Sequence, residues 1–528
     1  MNVIEQEIED VKRFKEIISI LGREGCGYVL DRLQMRRYLP LHRRAEASTA
    51  DVPPPERLRE TFEELGPTFI KFGQILAQRP DIVPPEYIEE LEKLEDAVPP
   101  FDTATAKDIV EEEIGPIDET FDEFEDEPLA AASIAQVHRA TLDTGDEVVV
   151  KIRRPGIEDT IREDLDILLF MAKQGEKHVD RLAAMRAYSA VKEFADWTQD
   201  ELNLRQEGRN AQILQQNLAD EDRVTVPDVY MDLTTERVLV MEYVEGVKSD
   251  DTEGLQELEV AAEEVARTAI RAGLKQTIRD GFFHADPHPS NFLIDEEGNI
   301  IYLDFGMMGK LTVDMRRNLG LLLLHAANEE VDAAVDVVRE MATVEDDADL
   351  DGLKQDIEES ILTVRNTTLE DQSITKALFD IAVKASDRGV HMPPSTVILA
   401  KSMLTMEGIG LTIYPEFEMK EEFERMAEKL LYELNSPSKL FRSFLIDAVQ
   451  NRELVARFPT QLNRMIGGTS GEQQEQRIEV EAGPGRDAVV AGALILGSFA
   501  LLVQALPVDY MLPVGIFGLL AAAWTLVR

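Results

Sequence analysis

The segment GFFHADPHPSNFLIDEEGNIIYLDFG, residues 281–306, constrains this chain more than any other. It sets Asp286 five residues before Asn291, and Asn291 thirteen before Asp304, the first residue of D-F-G. Phosphoryl transfer needs carboxylate and amide oxygens to hold hard divalent cations between phosphates, with another carboxylate facing the attacking hydroxyl. In that scheme Asn291 and Asp304 ligate Mg2+, and Asp286 accepts or orients the proton of the nucleophile. The runs FLID and IIYLDFG predict a hairpin turning at Glu297, Gly298 and Asn299, which would bring the two metal ligands together. HADPH alone would also suit a transition metal held by His284, Asp286 and His288. That reading leaves Asn291 and D-F-G without a role, whereas His284 can serve by bracing the loop.

Upstream, Lys151 closes the strand EVVVK, where a kinase-type lysine reaches the α and β phosphates of ATP or ADP. Such a lysine needs a carboxylate from the following helical stretch to hold its ammonium in position. The β-branched runs EVVVKI and ERVLVMEYV are separated by a long helical pattern from roughly 158 to 218, and beyond Gly246 most segments read as helix. The order predicts an α+β chain with a two-lobed protein-kinase-like fold, a small strand-rich lobe preceding a larger helical one. Segments 1–50 and 51–125 read as a partly basic helical start and a helical extension. Residues 126–245 and 246–466 read as the two lobes, 467–487 as a flexible linker.

The last segment, 488–528, differs in kind. Ala488 to Leu506 and Met511 to Val527 carry no charge. At helical rise they reach about 28 and 25 Å, close to a hydrocarbon core of about 30 Å. A C-terminal transmembrane helical hairpin is expected. Arg464, Arg477 and Arg486 precede the first span and Arg528 follows the second, while the turn carries only Asp509, so both flanks belong on the cytoplasmic side. The N-terminus carries charge where a secretion signal needs an apolar run. The expected location is therefore a multi-pass attachment to the cell membrane with the catalytic body in the cytoplasm. A basic island at Arg32, Arg36, Arg37, Arg43 and Arg44 reads equally as a solvated helix end or a membrane-surface contact.

Fifty-five basic residues stand against 102 acidic ones, a formal charge of -47. Such a surface repels nucleic acid. The acid is spread along the whole chain, as in EEEIGPIDETFDEFEDEP, and predicts a halophilic protein whose working medium is high salt. Cys26 is the only cysteine, which excludes an intrachain disulfide and a cysteine metal cluster.

Three further motifs give the chain a resemblance to the AarF/UbiB family of atypical kinase-like proteins, associated with prenyl-quinone synthesis. They are Lys71, Phe72, Gly73 and Gln74 as K-x-G-Q, the alanine-rich LAAASIAQVHRA, and DELNLRQEGRNA after Lys151. The likeness runs from about Pro53 to the final hairpin. It implies that Lys71 lies on an extension folded across the active site. It implies that Ala130, Ala131, Ala132, Ser133, Ile134, Ala135, Gln136 and Val137 replace the glycine-rich loop over the phosphates. Alanine disfavours the positive φ open to glycine, so such a loop must cradle phosphates in another geometry.

By the same resemblance Glu207 partners Lys151, and Glu201 is the first acid of an E-x-D motif whose second acid is replaced by Asn203. Backbone groups near Glu242 and Val244 meet adenine, with Met241 at the back of the pocket. The implied activity is an atypical kinase or ATPase using ATP (or ADP) and Mg2+, supporting ubiquinone- or menaquinone-type lipid synthesis at the bilayer. The implied partners are a prenyl lipid or quinone precursor and quinone-biosynthesis enzymes; a homodimer is compatible. A small-molecule or lipid kinase, of the aminoglycoside- and choline-kinase kind, shares H-x-D-x-H-P-x-N but lacks K-x-G-Q and the alanine loop. A nucleotide-sensing membrane scaffold is the reading from another class.

Overall fold

Alternation along one strand fixes the architecture of the first lobe. In Glu147–Arg153, Val148, Val150 and Ile152 pack on one face of a sheet with Ile109 and Val110, while Val149 joins Leu204, Leu239 and Met241 on the other. Lys151, two residues after Val149, therefore shares the second face. The computed structural model describes residues 11–23, 54–80, 82–94, 98–179, 182–183, 186–258, 260–328, 330–366 and 374–417. The basic island, Cys26, the linker and the expected membrane hairpin at 488–528 lie outside the described residues.

The first sheet is antiparallel in the order β1 (Phe121–Phe124), β3 (Ala135–Leu142), β4 (Glu147–Arg153), β6 (Val238–Glu242), with β2 (Ala130–Ala131) also paired to β3. A second sheet joins β5 (Val224–Thr225), β10 (Ile300–Tyr302), β9 (Phe292–Ile294) and β7 (Val247–Lys248), and β8 (Phe282–His284) pairs with β11 (Met308–Lys310). The expected hairpin is the β9–β10 pair: Asp295 Oδ1 accepts the N–H groups of Glu297 and Asn299, and Gly298 takes the left-handed φ of 80° that the turn requires.

Helices enclose these sheets. The extension comprises α1 (Val11–Arg23), α2 (Pro55–Leu65), α3 (Pro67–Ala77) and α4 (Pro85–Leu91), and α5 (Thr103–Glu113) lies under the first sheet. The long helical pattern after β4 resolves into three helices: α6 (Ile157–His178), α7 (Ala187–Glu201) and α8 (Leu204–Leu218). The α7–α8 break has a physical cause at Asn203. Its side-chain oxygen accepts the Gln206 N–H at 3.2 Å, and its φ of −97° and ψ of 91° are not helical, so it caps α8.

The second lobe is built on α9 (Ala262–Leu274), which continues as a π-turn through Asp280, and on α10 (Val313–Ala327), α11 (Val331–Met341), α12 (Leu350–Asn366), α13 (Ile374–Asp387) and α14 (Pro394–Ile413). Among the described residues α14 alone is long and apolar enough to cross a membrane, but 61% of its apolar window is buried within the protein. It packs against α9 and α13 as a core helix.

Candidate functional site

Lys151 emerges from the cleft face of β4 and meets Glu207 from the inward stripe of α8. Leu204, Ala211, Leu214 and Leu218 bury that stripe, and Gly208 permits the close approach: a Cβ there would lie 3.2 Å from Leu239, Met231 and Val229. Lys151 Nζ is 2.7 Å from Glu207 Oε1 and 3.6 Å from Asp304 Oδ1. One ammonium thus bridges two carboxylates from different lobes.

These charges reset one another. Burial would lower the Lys151 ammonium, but Glu207 and Asp304 outweigh it and raise it above the ordinary lysine range. Burial pushes the Glu207 carboxyl up to about 7, against the pull of Lys151, with the nearby Asp304 adding to the rise. Burial would also raise Asp304, yet Lys151, His284, the Gly306 N–H and Lys71 hold it well below the carboxylate range. Asp304 keeps 42% of its side chain open to solvent, so its charge is partly screened.

The catalytic-type loop is braced from behind. His284 Nε2–H donates to the Asp304 carbonyl at 2.8 Å, while Nδ1 accepts the Asp286 N–H at 3.2 Å, which fixes one tautomer. Ser402 of α14 donates to the His284 carbonyl at 2.7 Å, and Gln276 of the π-turn accepts the His284 N–H and donates to Tyr302. Asn291 Nδ2 donates to the Asp286 carbonyl, and its carbonyl accepts the Leu303 N–H, so the residue before Asp304 is tied to Asn291. Asp304 itself accepts the Gly306 N–H at 3.0 Å.

This arrangement takes His284 out of the transition-metal alternative, because both of its ring nitrogens are engaged. No group of three or more His, Cys, Asp or Glu is placed to hold a metal among the described residues. The carboxylate of Asp304 and the amide oxygen of Asn291 are hard donors of the kind Mg2+ takes, two from the protein with phosphates and water completing its shell. The residues present fit that ion. Asn203, which stands where the E-x-D motif has its second acid, accepts the Gln206 N–H with its side-chain oxygen as the cap of α8.

The alanine loop is a hairpin. Ala130 pairs with Val137 and Ala131 with Gln136, and the Ala132 N–H donates to the Ala135 carbonyl at 2.8 Å. None of its residues adopts positive φ. Ser133 and Ile134 lie within the turn, and Ser133 is fully buried. Arg154, which no motif marks, clamps this turn. Its backbone N–H donates to Ile134, its Nε to the Ala132 carbonyl at 2.9 Å and its Nη2 to Pro99 at 2.8 Å. Gln136 accepts the Phe101 N–H, anchoring the other strand.

At the end of β6, Met241 is buried in the cluster that also holds Val149, Leu204 and Leu239. The Glu242 N–H is not available to a base: it donates to the Asp228 carbonyl at 2.8 Å, and the Glu242 carboxylate accepts the Asp228 N–H. Tyr243 N–H is likewise used, donating to the Glu147 carbonyl at 3.0 Å.

The K-x-G-Q segment occupies α3. Lys71 Nζ lies 2.6 Å from Glu201 Oε1, both nearly buried. A Cβ on Gly306 would come within 3.4 Å of Glu201 Cγ and 3.3 Å of Asp304 Oδ1, so this pair abuts D-F-G. Phe72 packs on Phe194 of α7, Gly73 lets α3 lie against Phe62 and Leu94, and Gln74 donates to the Leu94 carbonyl at 3.1 Å. Glu201 closes α7 and Glu207 opens α8, so the two acids, six apart in sequence, sit on different helices and serve different lysines.

Residues 93–338 match the ABC1 atypical kinase-like domain and residues 357–418 the UbiB helical domain. Over 393 residues the chain is 33% identical to a probable protein kinase UbiB of Marinobacter nauticus, covering 74% of this chain and 72% of the relative. A probable protein kinase UbiB of Aeromonas salmonicida is 32% identical over 449 residues, 82% of each chain. The uncharacterized protein sll0095 of Synechocystis sp. is 36% identical over 360 residues, 67% of this chain, and the match spans 64% of that relative's length.

Proposed function

Because this chain belongs to the ABC1 atypical kinase-like family, with relatives called probable protein kinase UbiB, we propose that it is a membrane-anchored ATPase or kinase supporting isoprenoid-quinone lipid synthesis. The observation that carries the reading is the bridge from Glu207 through Lys151 to Asp304, at 2.7 and 3.6 Å. It is the arrangement a nucleotide's phosphates require of two lobes.

In this reading Lys151, held by Glu207, orients the α and β phosphates. Asn291 and Asp304 would hold Mg2+, which neutralises charge on the phosphates. Asp286, whose carboxylate makes no hydrogen bond or ion pair among the described residues, takes the proton of the attacking hydroxyl or water. The hairpin from Ala130 through Val137, fixed by Arg154, covers the phosphates, and Val244 and Met241 meet the base. The two apolar spans at 488–506 and 511–527 would hold the body at the cytoplasmic face.

Hydrolysis of Mg-ATP, with and without quinone-precursor lipids, is the decisive measurement, in the wild type and Asp304→Asn. Lipid-stimulated turnover lost in the variant is expected. Tight nucleotide binding with no turnover under any lipid condition would favour the scaffold reading, which the Lys71–Glu201 pair against D-F-G supports. Release of the full chain from membranes by a carbonate wash would sink the integral anchor.

A further inference from the structure

Behind the alanine hairpin, on the side of the sheet away from the cleft, Phe101, Gln136, His138 and Glu125 form a chain of hydrogen bonds with a fixed direction. Alternation along β3 divides its side chains. Val137 joins the cluster of the cleft face, while Gln136 and His138 share the face of Ala140 and Leu142, which α5 covers. Gln136 and His138 are both fully buried. The Phe101 N–H donates to Gln136 Oε1 at 2.9 Å, Gln136 Nε2 lies 2.8 Å from His138 Nε2, and His138 Nδ1 lies 2.9 Å from the Glu125 carbonyl.

The ends of this chain leave one arrangement of protons. A main-chain N–H can only donate and a carbonyl can only accept. Gln136 therefore turns its oxygen to Phe101 and its NH2 to the imidazole, and His138 is neutral with its proton on Nδ1. Protonating Nε2 sets two donors against each other 2.8 Å apart. Turning the amide over only moves the conflict to the Phe101 N–H, and neither side chain reaches solvent to relieve it. Burial lowers the His138 imidazolium below the ordinary histidine range, with the Glu125 carbonyl opposing. Among the described residues the charged groups that face the ring are Lys107 of α5 and Asp126 after β1, paired with each other at 2.6 Å. The Phe124 ring of β1 lies 5.1 Å from it, and Val150 of β4 stands opposite in the sheet.

What the chain holds is the hairpin. Residues 98–101, which lead into α5, are gripped at two points. Arg154 takes the Val98 and Pro99 carbonyls together with that of Ala132, and Gln136 takes the Phe101 N–H. Arg154 also stands 5.6 Å over the Phe101 ring. Releasing Gln136 frees the β3 side of the hairpin from this segment and leaves Arg154 to hold the turn.

We propose that Gln136 and His138 are positioning residues for the nucleotide, holding the alanine hairpin over the phosphates from behind the sheet only while His138 is neutral. The effect on the nucleotide rests on the function proposed above; the hydrogen-bond chain does not.

The test measures KM and kcat for Mg-ATP hydrolysis by the full chain in phosphatidylcholine nanodiscs between pH 5 and 8. Hydrogen exchange of the Phe101 amide, corrected for its intrinsic rate, is followed over the same range without nucleotide. His138→Gln offers Gln136 an acceptor that does not titrate, so dividing the wild-type KM by that of the variant removes the ionisation of ATP and of Glu207. The ratio should be flat above about pH 6.5 and rise about five- to tenfold as pH falls below it, with kcat changed less than about twofold, as one lost hydrogen bond implies. Protection of the Phe101 amide in the wild type should fall in parallel. Gln136→Glu sets a carboxylate against His138 and suits the imidazolium, so its KM should instead rise toward pH 8, a reversal that a misfolded variant cannot give. A flat ratio, or equal protection of Phe101 at pH 5 and 8, would overturn the proposal. Absence of hydrolysis in every variant, with Phe101 protection still lost at low pH, would count against the nucleotide reading and leave the hydrogen-bond chain standing.

Discussion

Lys71 of the extension and Glu201 at the end of α7 are joined at 2.6 Å, immediately beside Gly306 of D-F-G. A lysine that sits there fixes α3 over the cleft and adds positive charge next to Asp304. Lys71→Ala is expected to uncover the cleft and raise autophosphorylation or basal nucleotide turnover several-fold. The check is a comparison of initial rates in folded protein; an unchanged rate would remove the gating role.

Gly73 carries the packing that presents Lys71. A Cβ there would lie 2.3 Å from Leu94 Cδ1 and 2.8 Å from Phe62 Cδ2, both in buried side chains. Replacing a mid-helix glycine with alanine gains about 1 kcal/mol in propensity, but overpacking costs about 1–3 kcal/mol. Gly73→Ala should therefore be neutral to destabilising in urea titration, and should share the raised turnover of Lys71→Ala.

The pH dependence of stability should carry the mark of Glu207. Its carboxyl is raised from 4.5 to about 7 in the folded protein, so the folded state holds this proton more tightly than the unfolded chain. The stabilisation is full below about pH 4.5 and lost as pH rises through about 7. Asp304, held low, works in the opposite sense at acid pH, its contribution lost as pH falls below the ordinary aspartate range. Subtracting the Tm profile of Glu207→Gln from that of the wild type between pH 5 and 8 should leave a downward slope; a flat difference would refute the shift.

Arg154 should behave as a positioning residue for the alanine loop. Hydrogen bonds from a charged donor contribute about 1.5–3 kcal/mol, which predicts a rise of roughly 10- to 100-fold in the KM for ATP on Arg154→Ala. Lysine cannot reproduce the forked contact with Ala132 and Pro99, so Arg154→Lys should recover little. Steady-state kinetics decides this, since a residue needed only for folding would change yield without altering KM.

With a net charge of -47, mutual repulsion across the acidic surface should make the fold salt-dependent. Tm is expected to rise between 0.1 and 2 M KCl. Greater stability at the lower concentration would contradict a halophilic surface.

Asp286, Asn291 and Asp304 were legible because one short segment carries all three, and the β9–β10 hairpin needs only local turn chemistry to close. Lys151 was legible because strand alternation assigns its face. Arg154, Gln276 and Ser402 left no such trace. Arg154 and Ser402 donate to backbone carbonyls 22 and 118 residues away, and Gln276 accepts the His284 backbone N–H from a π-turn that no periodicity announces. The capping role of Asn203 left no trace for a related reason: a side-chain oxygen in place of a motif's acid and one on a helix cap look the same until the backbone dihedrals are known.

By itself, then, the sequence determined the chemistry available to this protein: which oxygens, which ammonium groups and at what spacing, because those follow from residue type and local period. The tertiary structure decided which acid serves which lysine. Glu201 and Glu207 are alike in sequence, and only the break at Asn203, with α7 turned toward the extension and α8 toward the first sheet, sends one to Lys71 and the other to Lys151.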